Sequence, residues 1–382
     1  MAKRWQLPLV VFASLMISAC SWFGGEEEVE PNPLVEFEAE KQFEKLWSVS
    51  VGSGIDDPYL KLSPVVDGDR IYASDESGHV FAFDRNSGER LWDTELEVNV
   101  SGGVGAGYGV VAVASVDGFV VVLDSDTGEE RWRSSVSSEV VSAPQMNDSL
   151  VVVQAINGKA TAFDSFTGEH RWTYDAQIPN LTLRGTSAPL VTANVTFAGF
   201  ANGKLVALDN NTGNEVWTRR VAAAKGRSEL ERMVDIDGRA LLRDQTLYVP
   251  SYQGRLVAIN PYNSQIIWAQ DMSTYQGLAE GYGNIYVSDT DDAVQAIDRD
   301  SSASVWRQPA LSNRSIGAPV TTVTDVLVAD GLGYLHAMSQ LDGHFVARYK
   351  IGSSGVSGDM LVVDDIIYLL SKGGQLEALT LN

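Results

Sequence analysis

Gly118-Phe-Val-Val-Val-Leu-Asp124-Ser-Asp-Thr127-Gly128-Glu-Glu-Arg-Trp132 decides the fold, because the chain writes it again and again. The apolar run after Gly118 reads as a strand, Asp124 to Gly128 as a hairpin turn, and Trp132 stands on the returning strand. The pattern recurs as Gly78…Asp84…Ser87-Gly88…Trp92, as Gly158…Asp164…Thr167-Gly168…Trp172 and as Gly203…Asp209…Thr212-Gly213…Trp217. Weaker copies follow at Gly254…Asn260…Ser264…Trp268 and Asp298…Ser302…Trp306, and a seventh, Gly333…Gly343, has Ala347 where Trp is expected. The tryptophans return at intervals of about 40 residues, the length of one four-stranded propeller blade.

Each position has a physical task. The Asp carboxylate can accept backbone N–H groups two and three residues on, which starts a turn, and Gly supplies the left-handed conformation of a bulged hairpin. The indole can pack between neighbouring blades, burying about 150–250 Å², or roughly 4–6 kcal/mol before conformational entropy. Phe345, two residues before Ala347 and so on the same strand face, is expected to fill part of the missing indole's space. The second copy parses into four strands, 100–105, 109–115, 119–124 and 130–134. Its first strand, Ser101-Gly-Gly-Val-Gly105, has the small residues that let strands converge on an axis.

The two ends supply an eighth blade. The chain stops at Gly374-Gln-Leu-Glu-Ala-Leu-Thr-Leu-Asn382, a third strand with no Trp strand after it, while Glu44-Lys-Leu-Trp47-Ser-Val49 is a fourth strand with no blade before it. Pairing them closes the ring and removes an exposed edge. The expectation is an all-β, eight-bladed β-propeller of four-stranded antiparallel blades, the N-terminal strand completing the last. A seven-bladed ring is the alternative if the fifth or sixth copy is not a blade.

The first forty residues address compartment. Lys3 and Arg4 precede an apolar run from Trp5 to Ile17, the length of a signal-peptide core and short of the roughly 20 residues that span a bilayer. It ends in Ile17-Ser-Ala-Cys20, with the only cysteine of the chain in the last place. That sequence resembles the bacterial lipobox, which implies cleavage before Cys20 and acylation of its thiol, and Ser21 favours sorting to the outer membrane. Glu26, Glu27, Glu28, Glu30, Glu36, Glu38 and Glu40, with Pro31 and Pro33 among them, read as a self-repelling tether. The expected divisions are residues 1–19 as signal peptide, 20–43 as lipidated cysteine and acidic tether, and 44–382 as the propeller.

Of the 382 residues, 44% are hydrophobic and 20% charged, enough for a large core, and the formal net charge of −22 argues against nucleic acid as partner.

The Asp-x-x-Thr-Gly-x-x-x-Trp repeat resembles the tryptophan-docking repeat of the quinoproteins. With the lipobox, acidic tether and about eight blades, the whole mature chain resembles the BamB family of outer-membrane protein assembly factors. That resemblance implies a non-catalytic scaffold on the periplasmic face of the outer membrane, in the β-barrel assembly (BAM) machinery, with BamA and the other BAM subunits as partners. It also implies that two interblade segments bind the POTRA domains of BamA. These are Pro179-Asn-Leu181-Thr-Leu183-Arg184-Gly185, carrying over Leu181, Leu183 and Arg184, and Glu231-Arg-Met-Val-Asp235-Ile-Asp237, carrying over Asp235 and Asp237. Two leucines beside an arginine can form an apolar anchor with a bidentate donor. The plainer alternative makes the leucines the start of the next inner strand and the acids turn residues or internal partners of Arg184. An exposed blade edge could also add a strand of a nascent outer-membrane protein by β-augmentation.

Quinone-dependent dehydrogenases use the same blades and are the competing enzyme reading; a scaffold for another envelope complex is the third. Quinone chemistry needs a calcium ion held by carboxylate and amide oxygens and a carboxylate base. The Asp residues sit in the repeated turns, Asp289, Asp291 and Asp292 read as a solvated loop, and His79, His170, His336 and His344 lack metal-ligand spacing. No catalytic residue, metal or cofactor is assigned.

Overall fold

The computed structural model describes residues 30–57, 59–183, 187–356 and 358–382. Among them, 32 strands form eight four-stranded antiparallel sheets. Seven sheets are consecutive meanders. Blade one, for example, is Val65–Asp67, Arg70–Ser74, His79–Asp84 and Arg90–Glu95. Blade eight joins the two ends of the chain: Leu361–Val363, Ile366–Leu370 and Gln375–Leu381 are completed by Phe43–Ser50, paired from Phe43 with Leu381 to Ser50 with Gln375. The weak copies five and six are full blades, built on Gly254–Ile259 with Ile266–Met272 and on Val294–Asp298 with Ser304–Gln308. The ring is therefore an eight-bladed propeller, and the seven-bladed alternative falls.

Each blade runs inner strand first, outer strand last, so all outer strands share one direction. All connectors from an outer strand to the next inner strand therefore leave from one face of the ring, here the connector face. The turns joining first to second and third to fourth strands lie on the opposite face.

The repeat works through its turns. The Asp84 carboxylate accepts the amides of Asn86 and Ser87, Asp124 those of Asp126 and Thr127, and Asp209 those of Asn211 and Thr212. Each indole N–H then donates to a carbonyl in the equivalent turn of the next blade. Trp47 bonds Arg85 at 3.1 Å, Trp92 Ser125 at 3.1 Å, Trp132 Ser165 at 3.0 Å and Trp172 Asn210 at 2.8 Å. Trp217 bonds Pro261 at 2.9 Å, Trp268 Arg299 at 2.8 Å and Trp306 Gln340 at 3.0 Å. A net contribution of about 1 kcal/mol each adds to the ring burial. The turn glycine lies flat under the indole: at Gly213 (φ +69°), a Cβ would fall 2.7 Å from Cβ and Cγ of Trp172.

Ala347 breaks the series for a topological reason. A Trp there would dock on the turn between the third and fourth strands of blade eight, and that turn does not exist, because the third strand ends the chain and the fourth begins near its start. In its place, Gln42 and Asn382 exchange backbone bonds of 2.8 and 3.0 Å. The space at the seventh–eighth interface is taken by Phe43 and Tyr349, whose rings lie 5.9 Å apart in the cluster that includes Ala347. Phe345 does not fill it. Every outer strand of blades one to seven carries a bulge, and in blade seven it sets Ala347 opposite Ala337 but Phe345 opposite Met338, leaving Val346 unpaired. The extra residue inverts the side-chain parity, so Phe345 is buried on the other face, with Trp306 and Met338.

Residues 30–42 fall in the stretch expected to be a tether, and much of this segment lies along blade seven. Asn32 N donates to Ser312 O at 3.1 Å, and the amides of Glu40 and Lys41 both donate to the bulged Val346 O. Phe37 stacks on Phe345, centroids 5.7 Å apart.

Candidate partner-binding rim

Both segments singled out in the sequence are connectors on the same face, one entering blade four and the other leaving it. Leu181 and Leu183 precede the inner strand, which starts at Leu190, so they are loop residues rather than its beginning. Leu181 is 42% exposed and Leu183 is half-buried. Arg184 lies outside the described residues, as does Cys20.

The second segment turns inward. Asp235 is only 2% exposed, and its backbone bridges to Tyr252, whose amide donates to Asp235 O at 2.8 Å. Ile236 follows, and it reaches the wall of blade four because Gly199 has no side chain: a Cβ there would meet Ile236 Cγ2 at 2.4 Å. Ser187 Oγ donates to Gly238 O at 3.1 Å, tying the two connectors together. Thr182 of the first segment, Ile178 just before it and Asp235 of the second line one small cleft, with Gln154 and Phe200 in its wall.

Burial governs the two carboxylates. Desolvation, reinforced by the charge of Asp237, pushes the Asp235 carboxyl up to about 8. Desolvation also pushes Asp237 up to about 6, against the opposing pull of the Lys61 ammonium. Asp235 Oδ1 accepts the Ile236 amide at 2.8 Å, while Asp235 Oδ2 and Asp237 Oδ1 have no hydrogen-bond partner among the described residues. Burial and the neighbouring Asp237 charge thus both favour the protonated form of the inward-facing Asp235.

Sequence reasoning missed the outermost part of this rim. Residues 223–232 are exposed throughout, and Leu230 is 65% exposed. The Glu231 carboxylate accepts the amides of Arg227 (2.6 Å) and Ser228 (3.1 Å), while Glu231 N donates to Ser228 Oγ. The Ser228-Glu-Leu-Glu231 spacing of a capping box was the available signal.

The acids considered for a cation serve the backbone instead. Asp289 accepts the amides of Asp291 and Ala293 and bonds Gln295 and Arg307, and Asp292 accepts the amides of Ser315 and Ile316. Only Asp291 of the three is exposed.

Comparison with known proteins agrees with this architecture. The family described as "Outer membrane protein assembly factor BamB" matches residues 76–308. A relative of that name from Pseudomonas aeruginosa is 48% identical over 378 residues, covering 99% of both chains. The crystal structure of BamB from Moraxella catarrhalis superposes with a TM-score of 0.81 at 26% identity, over 89% of this chain and 100% of that one. Quinohemoprotein alcohol dehydrogenase from Comamonas testosteroni shares the fold, with a TM-score of 0.73 at 15% identity over 88% of this chain and 76% of that one.

Proposed function

The chain belongs to the family of outer membrane protein assembly factor BamB, a family of assembly factors rather than enzymes, and on that premise we propose a lipid-anchored scaffold of the β-barrel assembly machinery. In this reading Cys20 carries the lipid, the propeller stands on the periplasmic side of the outer membrane, and the rim of blade four binds the POTRA domains of BamA. Leu181, Leu183 and Arg184 make the contact, and the exposed Leu230 of the second connector adds to it. Asp235 and Asp237 act from below by fixing the connector.

The observation that carries the reading is the convergence of two separate connectors. Gly199 admits Ile236, Ser187 bonds Gly238, and the joined connectors carry an exposed Leu181 and a buried Asp235. An arginine beside exposed apolar side chains is a residue type over-represented among binding hot spots.

The test is co-purification from detergent-solubilised outer membranes. Arg184→Glu and Leu181→Asp are expected to lose BamA while their melting curves stay near wild type. Cys20→Ser is expected to move the protein from the membrane to the soluble periplasmic fraction. Retention of BamA by both rim variants would remove this rim from the interface, and continued membrane association of Cys20→Ser would remove the anchor.

A further inference from the structure

Blade seven carries a buried polar network that neither ring closure nor the blade-four rim uses. Arg314 and Asp330 are almost fully buried, with Arg314 Nη2 2.7 Å from Asp330 Oδ2. The same carboxylate oxygen holds His336 Nε2 at 2.9 Å, and Arg348 Nε donates to His336 Nδ1 at 3.3 Å. The network thus aims two guanidinium groups outward, and both end on residues 32–41. Arg314 Nη1 donates to Asn32 O at 2.8 Å, and Arg348 Nη2 donates to Val35 O at 3.0 Å. The Arg348 guanidinium also lies 4.9 Å from the centroid of the Phe37 ring, which is stacked on Phe345. At the other end, Glu40 Oε1 is 2.9 Å from His344 Nε2, and Lys41 Nζ is 2.6 Å from Asp325 and 2.7 Å from Thr324.

The path matters more than the individual bonds. Ser312 and Arg314 belong to the connector between blades six and seven, on the connector face, whereas Thr324 lies in a turn of the opposite face. Residues 32–41 therefore cross the outer wall of the ring from one face to the other. Closure does not require this, because the pairing of Gln42 with Asn382 and of Phe43–Ser50 with Gln375–Leu381 completes blade eight without it.

We infer that residues 32–41 are a strap that sets where the membrane-anchored end of the chain leaves the propeller. The exit lies at blades six and seven, on the same face as Leu181 and Asp235. The inference rests on lipidation at Cys20. With the strap docked, 12 residue steps separate Cys20 from Asn32, a reach of at most about 40 Å fully extended. With it released, 22 steps separate Cys20 from Gln42, about 75 Å from the opposite face of the ring. The docked strap thus holds the connector face of blade seven as the membrane-proximal sector.

The experiment uses the full lipidated chain in vesicles containing an acceptor-labelled lipid. Acylated Cys20 leaves no other thiol, so Leu332→Cys (connector face, blade seven) and Phe166→Cys (opposite face, blade three) each give one donor site. Energy transfer is expected to be greater from position 332 than from position 166. Phe37→Ala combined with Glu40→Ala is expected to deprotect residues 32–41 in hydrogen exchange, to lengthen the reach just under twofold, and to erase the difference between the two sites. Continued protection of residues 32–41 in that variant, or unchanged transfer once they are freed, would overturn the inference. Mass spectrometry of the Cys20 peptide separates this from the proposed function: an unacylated Cys20 defeats the anchor and the inference with it, whereas an acylated Cys20 with unchanged transfer defeats the inference alone.

Discussion

Replacing Gly213 by Ala tests whether the indole–turn contact holds neighbouring blades together, provided it is measured beside Gly283→Ala. Both glycines have left-handed backbone, φ +69° and +78°. At Gly283 a Cβ would meet nothing within 4 Å, so that variant carries only the backbone term, about 1 kcal/mol. At Gly213 the Cβ would lie 2.7 Å from two Trp172 carbons, and the indole is itself buried and bonded to Asn210 O at 2.8 Å. Displacing it adds an overpacking cost of about 1–3 kcal/mol, for a total of about 2–4 kcal/mol. Ser264 and Ser302, at φ +58° and +61°, occupy the same turn position in blades five and six. A Cβ is therefore admissible where the indole is placed to suit, and the cost at Gly213 lies in moving Trp172. For a ring of some 340 residues, an unfolding entropy of about 2.1 cal/mol/K per residue makes 1 kcal/mol worth roughly 1.5 °C. Circular dichroism melts are expected to drop by roughly 1–2 °C for Gly283→Ala and roughly 3–6 °C for Gly213→Ala. Equal drops would show that Trp172 yields freely and that the docking contact contributes little.

Two further tests concern protonation. The Asp235 carboxyl is raised by burial from its ordinary 3.8 to about 8, so the stability it contributes is complete below the ordinary value and declines as pH rises through the folded one, by up to roughly 1 kcal/mol per pH unit. Asp235→Asn should flatten urea midpoints between about pH 4 and 8 relative to wild type; parallel profiles would mean that a cation compensates the pair. His344 is raised chiefly by its bond to Asp342 and also by Glu40, so its hold on the strap is complete below its ordinary value of 6.5 and is lost as pH climbs through the raised one. Hydrogen exchange of residues 32–41, corrected for intrinsic rate, should be faster at high pH in wild type. Glu40→Gln should remove that dependence, and a dependence that persists in the variant would acquit His344.

How far the sequence could be read depended on how local the cause was. The Asp–Thr–Gly turns and the tryptophans are legible because each Asp bonds amides two and three residues ahead, and the spacing of those turns counts the blades. Phe345 was misplaced because period-two counting fails at a bulge, and nothing in Gly343-His-Phe-Val-Ala347 announces the extra residue. The absence of Trp at position 347 was visible, but its cause was not, since it depends on where the two chain ends meet. The family resemblance singled out Asp235 and Asp237, yet the inward course of their connector depends on distant residues, Gly199 beside Ile236 and Tyr252 bridged to Asp235. The acidic run before Phe43 carried a true statement about charge, while Phe37 within it packs against blade seven through residues about 300 positions away.

The strap also decides how the ring bears tension. Any pull on the N-terminal end meets the Asn32 contacts with Ser312 and Arg314 first, then Phe37 against Phe345 and Arg348, then Glu40 and Lys41, and only afterwards the strand Phe43–Ser50. These attachments are arranged one after another along the chain. The strap therefore acts as a mechanical fuse: a tug on the tether is spent in lengthening it before any force reaches the one junction where the ring is not covalently continuous.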